Sequence, residues 1–475
     1  MSEKYDYDVI IIGAGIGGLV CGCYLAKAGL KTLIVEKNAK PGGYCTSFSR
    51  KGYHFDACVH ALSSLRENGL LNKILTELGV INRLKFNRHD PSDIIITPEF
   101  KIKMFHNLNK IIAEFQKYFP EEKIQLDKFF RYIALSESFF DKRSLTFDEL
   151  LDSFFQDENI KSILSNIIYL TVGCPTDKIS AVVACLLYKE FVFDGGYYPV
   201  GGLQHFSDTI AERFVELGGD ILFSKPVTKI KVTSNKVRGI FCNGGQYFSC
   251  KYVVSACDLK QTYFELIGKN KINSNVIKEI SKSVPSNSGF IVYLGINKKL
   301  IINEELKSNI YLIMDLNARN IYSKVKKCKN DFLGLHTPSA WDNSLNKGQK
   351  ESICLATNAY FENTHFWNEK RRKEFMCRMV KLAEKAIPGL SGSISLSITA
   401  TPRTLYKWTR NFKGAAYGLA SVPDQFGNPS FSQKTEIENL FLTGHWSNQS
   451  SGVSFVASNG RVTADLILHT TNLKH

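Results

Sequence analysis

Short, wholly apolar runs alternate along the chain with longer stretches of helical period. Residues 9–12 (Val-Ile-Ile-Ile) form an unbroken, largely β-branched run, the pattern of a strand buried on both faces of a parallel sheet. Residues 19–28 then read as a helix that Gly29 stops, and residues 31–35 as a second apolar strand closed by Glu36. Leu62, Leu65, Leu70, Leu71, Ile74, Leu75 and Leu78 make a stripe that predicts helix through residues 61–90. Residues 94–97 and 100–104, around Pro98 and Glu99, predict a hairpin. From Asn107 to about Glu190 the period is helical with a heavy phenylalanine load, and residues 160–172 and 179–188 are its most apolar parts. These two segments read either as core or as a greasy channel or membrane-dipping face for a long apolar substrate.

Alternation of strand and helix returns later. A helix at 204–217, ended by Gly218 and Gly219, precedes strands at 220–223, 227–232, 238–242, 247–250 and 251–258. Further strands are predicted at 289–296, 310–314, 352–358 and 394–399, with a basic amphipathic helix at 369–386. The chain closes on an apolar strand ending at Gly444 and a helix to about Leu468. Strands followed by helices in this order predict an α/β fold.

The first strand–helix turn carries candidate chemistry. Gly13, Gly15 and Gly18 stand in G-x-G-x-x-G spacing, with Gly17 as an extra small residue. The first glycine permits the tight turn, the second lets backbone approach a pyrophosphate, and the third lets helix and strand pack closely. The helix N-terminus then points at the phosphates. Glu36 follows Gly13 at the distance where an acid accepts hydrogen bonds from an adenosine ribose. Strand, glycines, helix, strand and acid in that order predict a dinucleotide site.

Which dinucleotide is indicated by what comes next. Glu36, Lys37, Pro41, Gly42 and Gly43 are followed by Gly52, Tyr53, Phe55 and Asp56. This segment resembles the FAD-binding start of the phytoene desaturase family, which includes carotenoid desaturases, carotene isomerases and retinol saturases and is related more distantly to amine oxidases. The resemblance implies non-covalent FAD in a Rossmann-like domain of the GR2 flavoprotein type, with a discontinuous α+β substrate domain and a helical insert. The expected division is 1–100, 195–265 and 430–475 for the FAD-binding domain. Residues 101–194 and 266–429 then form the substrate-binding domain with its helical lid.

By the same resemblance Gly42 and Gly43 bring backbone amides near the pyrophosphate and flavin, beside Lys37, and Val227 offers its backbone to adenine. Gly444, Gly452 and Val453 belong to a C-terminal segment that looks like the family's flavin-binding strand, loop and helix. One departure stands out: many relatives carry Asp or Glu after the glycine, where this chain has His445. His60 and His445 are the titratable candidates near the flavin motifs, each readable as a proton carrier or as a simple hydrogen-bonding group. No metal site is indicated. The implied activity is desaturation, saturation or isomerisation of a hydrophobic polyene or isoprenoid-like substrate. The alternatives are an amine-oxidase-like enzyme on a smaller substrate, or a non-redox prenyl-lipid-binding protein of the same fold.

Composition changes this picture little. The chain has 475 residues, 44% of them hydrophobic, enough for two or three structural domains. The polar start reads as free of a secretory signal, and twelve scattered cysteines without a paired motif indicate the reducing cytosol. A net charge of +15 accompanies no nucleic-acid-binding motif, so no nucleic-acid partner is expected. Its clusters at residues 324–329 and 370–373 read as solvated faces or as peripheral contacts with an anionic membrane. Oligomeric state is not legible.

Overall fold

The apolar run at residues 9–12 lies in the strand Tyr7–Ile12, which pairs in parallel with Thr32–Val35 on one side and Tyr247–Ser255 on the other. The computed structural model describes residues 4–136, 139–142, 144–296, 304–345, 350–362, 365–425, 427–448 and 451–471. Asp220–Leu222 extends this sheet beyond Thr32–Val35, and Leu440–Leu442 adds to Tyr247–Ser255 in parallel. Thr32–Val35 and Leu440–Leu442 are buried throughout. Covered on both faces, such strands need no alternation of polar and apolar residues. Tyr247–Ser255 is one strand where two were expected. Its first residues join an antiparallel meander with Lys236–Cys242 and Val227–Thr233, and its later ones the parallel sheet.

The first helix, Ile16–Lys27, is buried from Ile16 to Ala26. Helix Gly202–Glu216 and the terminal helix Val453–Thr471 pack against it. That enclosure explains why it is apolar all round.

The second sheet runs in the order Ile394–Ala400, Ser288–Ile296, Glu351–Ala359, Phe332–His336, Asn309–Ile313, Asp93–Ile96, Lys101–Met104. All its neighbours are antiparallel except Asn309–Ile313 and Asp93–Ile96. The hairpin expected at 94–104 is therefore present, but it belongs to this sheet. Residue 100 falls inside its turn. Pairing between strands so far apart in sequence leaves no local signal.

Five helices, Leu108–Tyr118, Lys123–Leu135, Phe147–Asp152, Glu158–Val172 and Ala181–Leu187, form the insert. Phe115, Phe129, Phe130, Phe147 and Phe155 are buried in its core. Local chemistry sets the helix starts: Asn107 and Asp157 cap two of them, and Thr146 with Glu149 forms a capping box.

The helix expected over residues 61–90 is confined to Leu70–Glu77. Ser64 and Asn68 adopt left-handed backbone, and Leu62 exchanges backbone hydrogen bonds with Tyr197 instead. Phe86–Arg88 is a strand against Tyr197–Pro199. Leu62 and Leu65 are apolar because they join the same core as Leu71, not because they share a helix face. Parts of the basic clusters are internally engaged. Lys324 pairs with Asp315 at 2.6 Å and with Asp331, and Arg371 lies 4.1 Å from the centre of the Phe366 ring. Among the described residues no helix is long and apolar enough to cross a membrane.

Candidate active site

The site grows from the turn after the first strand. Gly13 sits at φ +105° and its amide donates to Val35 O at 2.9 Å, so the loop leaves the sheet edge sharply. Glu36, only 6% exposed, locks this loop to the next. Its Oε2 accepts from Ala14 N and its Oε1 from Asn38 N, each at 2.8 Å. Gly42 N donates to Ala14 O at 2.8 Å, bringing the second glycine pair against the first. Lys37 is held by Asn38 Oδ1 at 3.1 Å and by Trp408 O, and burial lowers its pKa despite the neighbouring Glu36.

A single cavity takes in every residue given a cofactor or proton-carrying role from the sequence. Gly13, Gly15, Gly17, Gly18, Glu36, Lys37 and Val227 line it, together with Gly42, Gly43, Gly444, His445, Gly452 and Val453, and His60 borders it too. The walls beyond are apolar: Leu170 and Val172 from helix Glu158–Val172, Leu187 from Ala181–Leu187, and Phe191 from the turn after it. Core and cavity wall are thus built by the same insert helices: Val172 and Leu187 belong to the aromatic core together with Ile163, Leu164 and Ile168, and Leu170 packs against it.

Both histidines are neutral near pH 7. His60 is pushed down to about 4, burial outweighing the Asp56 carboxylate and the hydrogen bond with the Cys58 backbone. Burial takes His445 down to about 4 as well. A neutral imidazole keeps one donor and one acceptor nitrogen, so either ring is able to accept a proton or relay one.

Several contributors have no sequence signal. His336 stacks on His60 with ring centres 4.7 Å apart, from a strand in the second sheet. Tyr44 and Tyr417 also line the cavity, and the Tyr44 hydroxyl donates to Ala415 O at 2.9 Å. Asn411 accepts from Trp446 Nε1 at 2.8 Å, behind the loop that carries His445. Gly460 packs so tightly that a Cβ there would stand 2.5 Å from Gly17 O.

The residues fit an FAD. Gly15 has φ −69° and ψ 169°, a conformation open to any residue, and a Cβ on it would meet no atom within 4 Å. Nothing inside the protein calls for glycine there; a ligand backbone approaching the helix N-terminus does. Glu36 keeps lone pairs free beyond its two amide partners, as a ribose contact needs. Glu36→Ala removes both latches together with that acceptor. The mutant is expected to bind FAD about 100-fold more weakly in a fluorescence titration of the apoprotein, hydrogen bonds to a charged group each being worth about 1.5–3 kcal/mol. Unchanged affinity would remove the assignment.

The family described as flavin containing amine oxidoreductase matches residues 16–468 of the chain. Prolycopene isomerase 2, chloroplastic, from an Oncidium hybrid cultivar is 25% identical over 512 residues, spanning 98% of this chain and 85% of its own. The lycopene-forming phytoene desaturase of Pseudescherichia vulneris is 22% identical over 510 residues, spanning 97% and 98%. Among solved structures, an oxidoreductase from Methanosarcina mazei superposes with a TM-score of 0.73 at 15% identity, covering 96% of this chain and all of its own.

Proposed function

Starting from a chain that belongs to the family of flavin containing amine oxidoreductases, we propose that it is an FAD-dependent oxidoreductase that desaturates, saturates or isomerises an apolar polyene or isoprenoid-like lipid. The observation that carries this reading is the continuity of one cavity from the glycine turn to the apolar wall of Leu170, Val172, Leu187 and Phe191. Those four side chains offer a small polar amine no hydrogen-bond partner. The isomerase and desaturase among its relatives act on molecules of this kind by their names.

Each group has a proposed task. Gly13, Gly15, Gly18 and the helix behind them receive the pyrophosphate; Glu36 takes the ribose, with Lys37 beside it, and Val227 the adenine. Gly42, Gly43, Gly444, Gly452 and Val453 surround the isoalloxazine, close to Gly17. When bound, the flavin supplies a hydride acceptor or donor. The chain's own part is to hold an allylic carbon in place, exclude water, and move the neighbouring proton. His60 and His445 are the groups proposed to move it.

The test begins with the absorbance spectrum of the purified protein and then follows flavin bleaching under anaerobic conditions with polyenes and with amines. Bleaching or turnover by amines alone overturns the substrate class. With a reactive polyene in hand, His60→Asn is expected to lower turnover about 100-fold at unchanged flavin content, the usual scale for a lost acid or base. Equal turnover would leave His60 a contact residue only; the same experiment applies to His445.

Membrane contact is a finer part of the proposal. Ile124 and Leu135 are each 70% exposed on helix Lys123–Leu135, which also carries Lys123, Lys128 and Arg131. Such a face suits a site loaded from an anionic bilayer. The free cysteines fit a reducing compartment, and the proposed location is cytoplasmic.

A further inference from the structure

The apolar channel ends on a buried acid. Thr171, Phe191 and Tyr311 line the main cavity and also a small recess behind it. Ile95 and Met104 make most of that recess apolar, yet Asp93 faces it too. Asp93 is 7% exposed, and among the described residues the hydrogen-bond partners of its carboxyl are neutral: Ser92 Oγ donates to Oδ2 at 2.7 Å, and Asn309 Nδ2 to Oδ1 at 3.0 Å. Among the described residues no Lys, Arg or His forms an ion pair with it. Burying a carboxyl without a cation costs several kcal/mol, so its place at the end of a greasy channel calls for a reason.

Two features supply one. Each Asp93 oxygen has a lone pair left over for another donor. The Tyr311 hydroxyl, which borders both spaces, makes no hydrogen bond among the described residues. The recess itself holds no more than one small group. An apolar chain filling the channel would press a bare methyl against two polar groups and strip them of water, which is unfavourable. A chain ending in a donor would satisfy both.

Resting on the reading of the cavity as an apolar lipid channel, we propose that the substrate carries a terminal hydroxyl, seated in this recess between the Asp93 carboxyl and the Tyr311 phenol. The hydroxyl donates to Asp93 and accepts from Tyr311. Asp93 is then a specificity-determining residue that sets which end of the molecule enters first and how far it travels past the flavin.

The test uses the FAD-loaded protein and three probes with one carbon skeleton: geranylgeraniol, its methyl ether and geranylgeranylamine. Each is titrated anaerobically while the flavin absorbance is followed. The alcohol is expected to half-saturate the change at a concentration at least tenfold below that of the ether. Asp93→Leu should abolish that preference while leaving ether binding within a few-fold. Tyr311→Phe, which deletes one oxygen and leaves the Asp93 cluster intact, should reduce it. Equal binding of alcohol and ether, or a preference that survives both substitutions, overturns the hydroxyl site while the channel reading stands. Tighter binding of the amine than the alcohol overturns it in favour of a cationic end group. No response to any probe removes the lipid-channel reading itself.

Discussion

Gly18→Ala is expected to give a protein that carries no flavin. A Cβ at Gly18 would lie 2.1 Å from the carbonyl oxygen of Gly13 and 3.4 Å from Ile11 Cγ2, and the first of these is backbone. The helix Ile16–Lys27 would have to move off the strand, but it is held from the far side. Gly17 is within 3.0 Å of Gly444 by the same measure, and Gly460 is pressed on Gly17 O. With no direction of retreat, the overlap falls on the loop from Gly13 to Ile16, whose amides are the ones proposed to meet the pyrophosphate. Overpacking alone costs about 1–3 kcal/mol in stability. Displaced amides cost affinity in addition, and FAD retention should fall at least 100-fold. Gly15→Ala is the control: its Cβ meets only empty cavity, so the apoprotein should melt as the wild type does while FAD binds more weakly. The flavin-to-protein absorbance ratio and the apoprotein melting curve separate the two effects. A Gly18→Ala protein with a full complement of flavin would refute the packing argument.

Acidification is expected to destabilise the protein steeply between pH 6.5 and pH 4. His89 is pushed down to about 4 and His336 well below its ordinary value, both chiefly by burial, with His60 adding to the effect on His336. These pKa values are depressed in the fold, so between about 4 and the ordinary 6.5 the unfolded chain binds more protons than the folded one. The stabilisation is complete above pH 6.5 and is lost as pH falls toward 4. It is on the order of 3 kcal/mol for a histidine as deeply placed as His89. His60 and His445 act in the same sense but border the cavity, where solvent or ligand screens them, so less is asked of them. Asp258, raised to about 6 by burial, works against the trend, since its neutral form is favoured in the fold and its share grows as pH falls. Asp93, Asp148 and Asp194, raised by burial as well, act with it, and the histidines carry the larger shifts. The melting midpoint should hold steady from pH 8 to pH 7 and drop by at least about 5 °C by pH 4.5. His336→Phe should flatten the drop, and a midpoint constant across that range would mean these rings are more accessible to water than their packing shows.

How much of this was readable beforehand depends on the range of the interaction. The strand at residues 9–12, the glycines after it, Glu36, and the strand and helix closing the chain are encoded within windows of about thirty residues. Apolar runs, turn glycines and an acid at the next strand end are local patterns with local causes. All the residues chosen on those patterns border one cavity. The stretch at 61–69 misled because its leucines enter a core shared with Leu71 and Tyr198 without being helical. Apolar spacing records burial; it does not say by which backbone path a residue arrives.

By itself, then, the sequence determined the α/β class, the glycine turn and the segments that border the cavity, because each follows from backbone geometry over a few neighbouring residues. Tertiary structure alone decided the rest. It put Asp93–Ile96 beside Asn309–Ile313, so that Asp93 meets Asn309 and Tyr311 at the end of the channel. It stacked His336 on His60, and wedged the terminal helix against the first so that Gly460 faces Gly17. These contacts join residues hundreds of positions apart. Their selection comes from the burial and pairing of whole sheets and helices, and no short window of sequence carries that information.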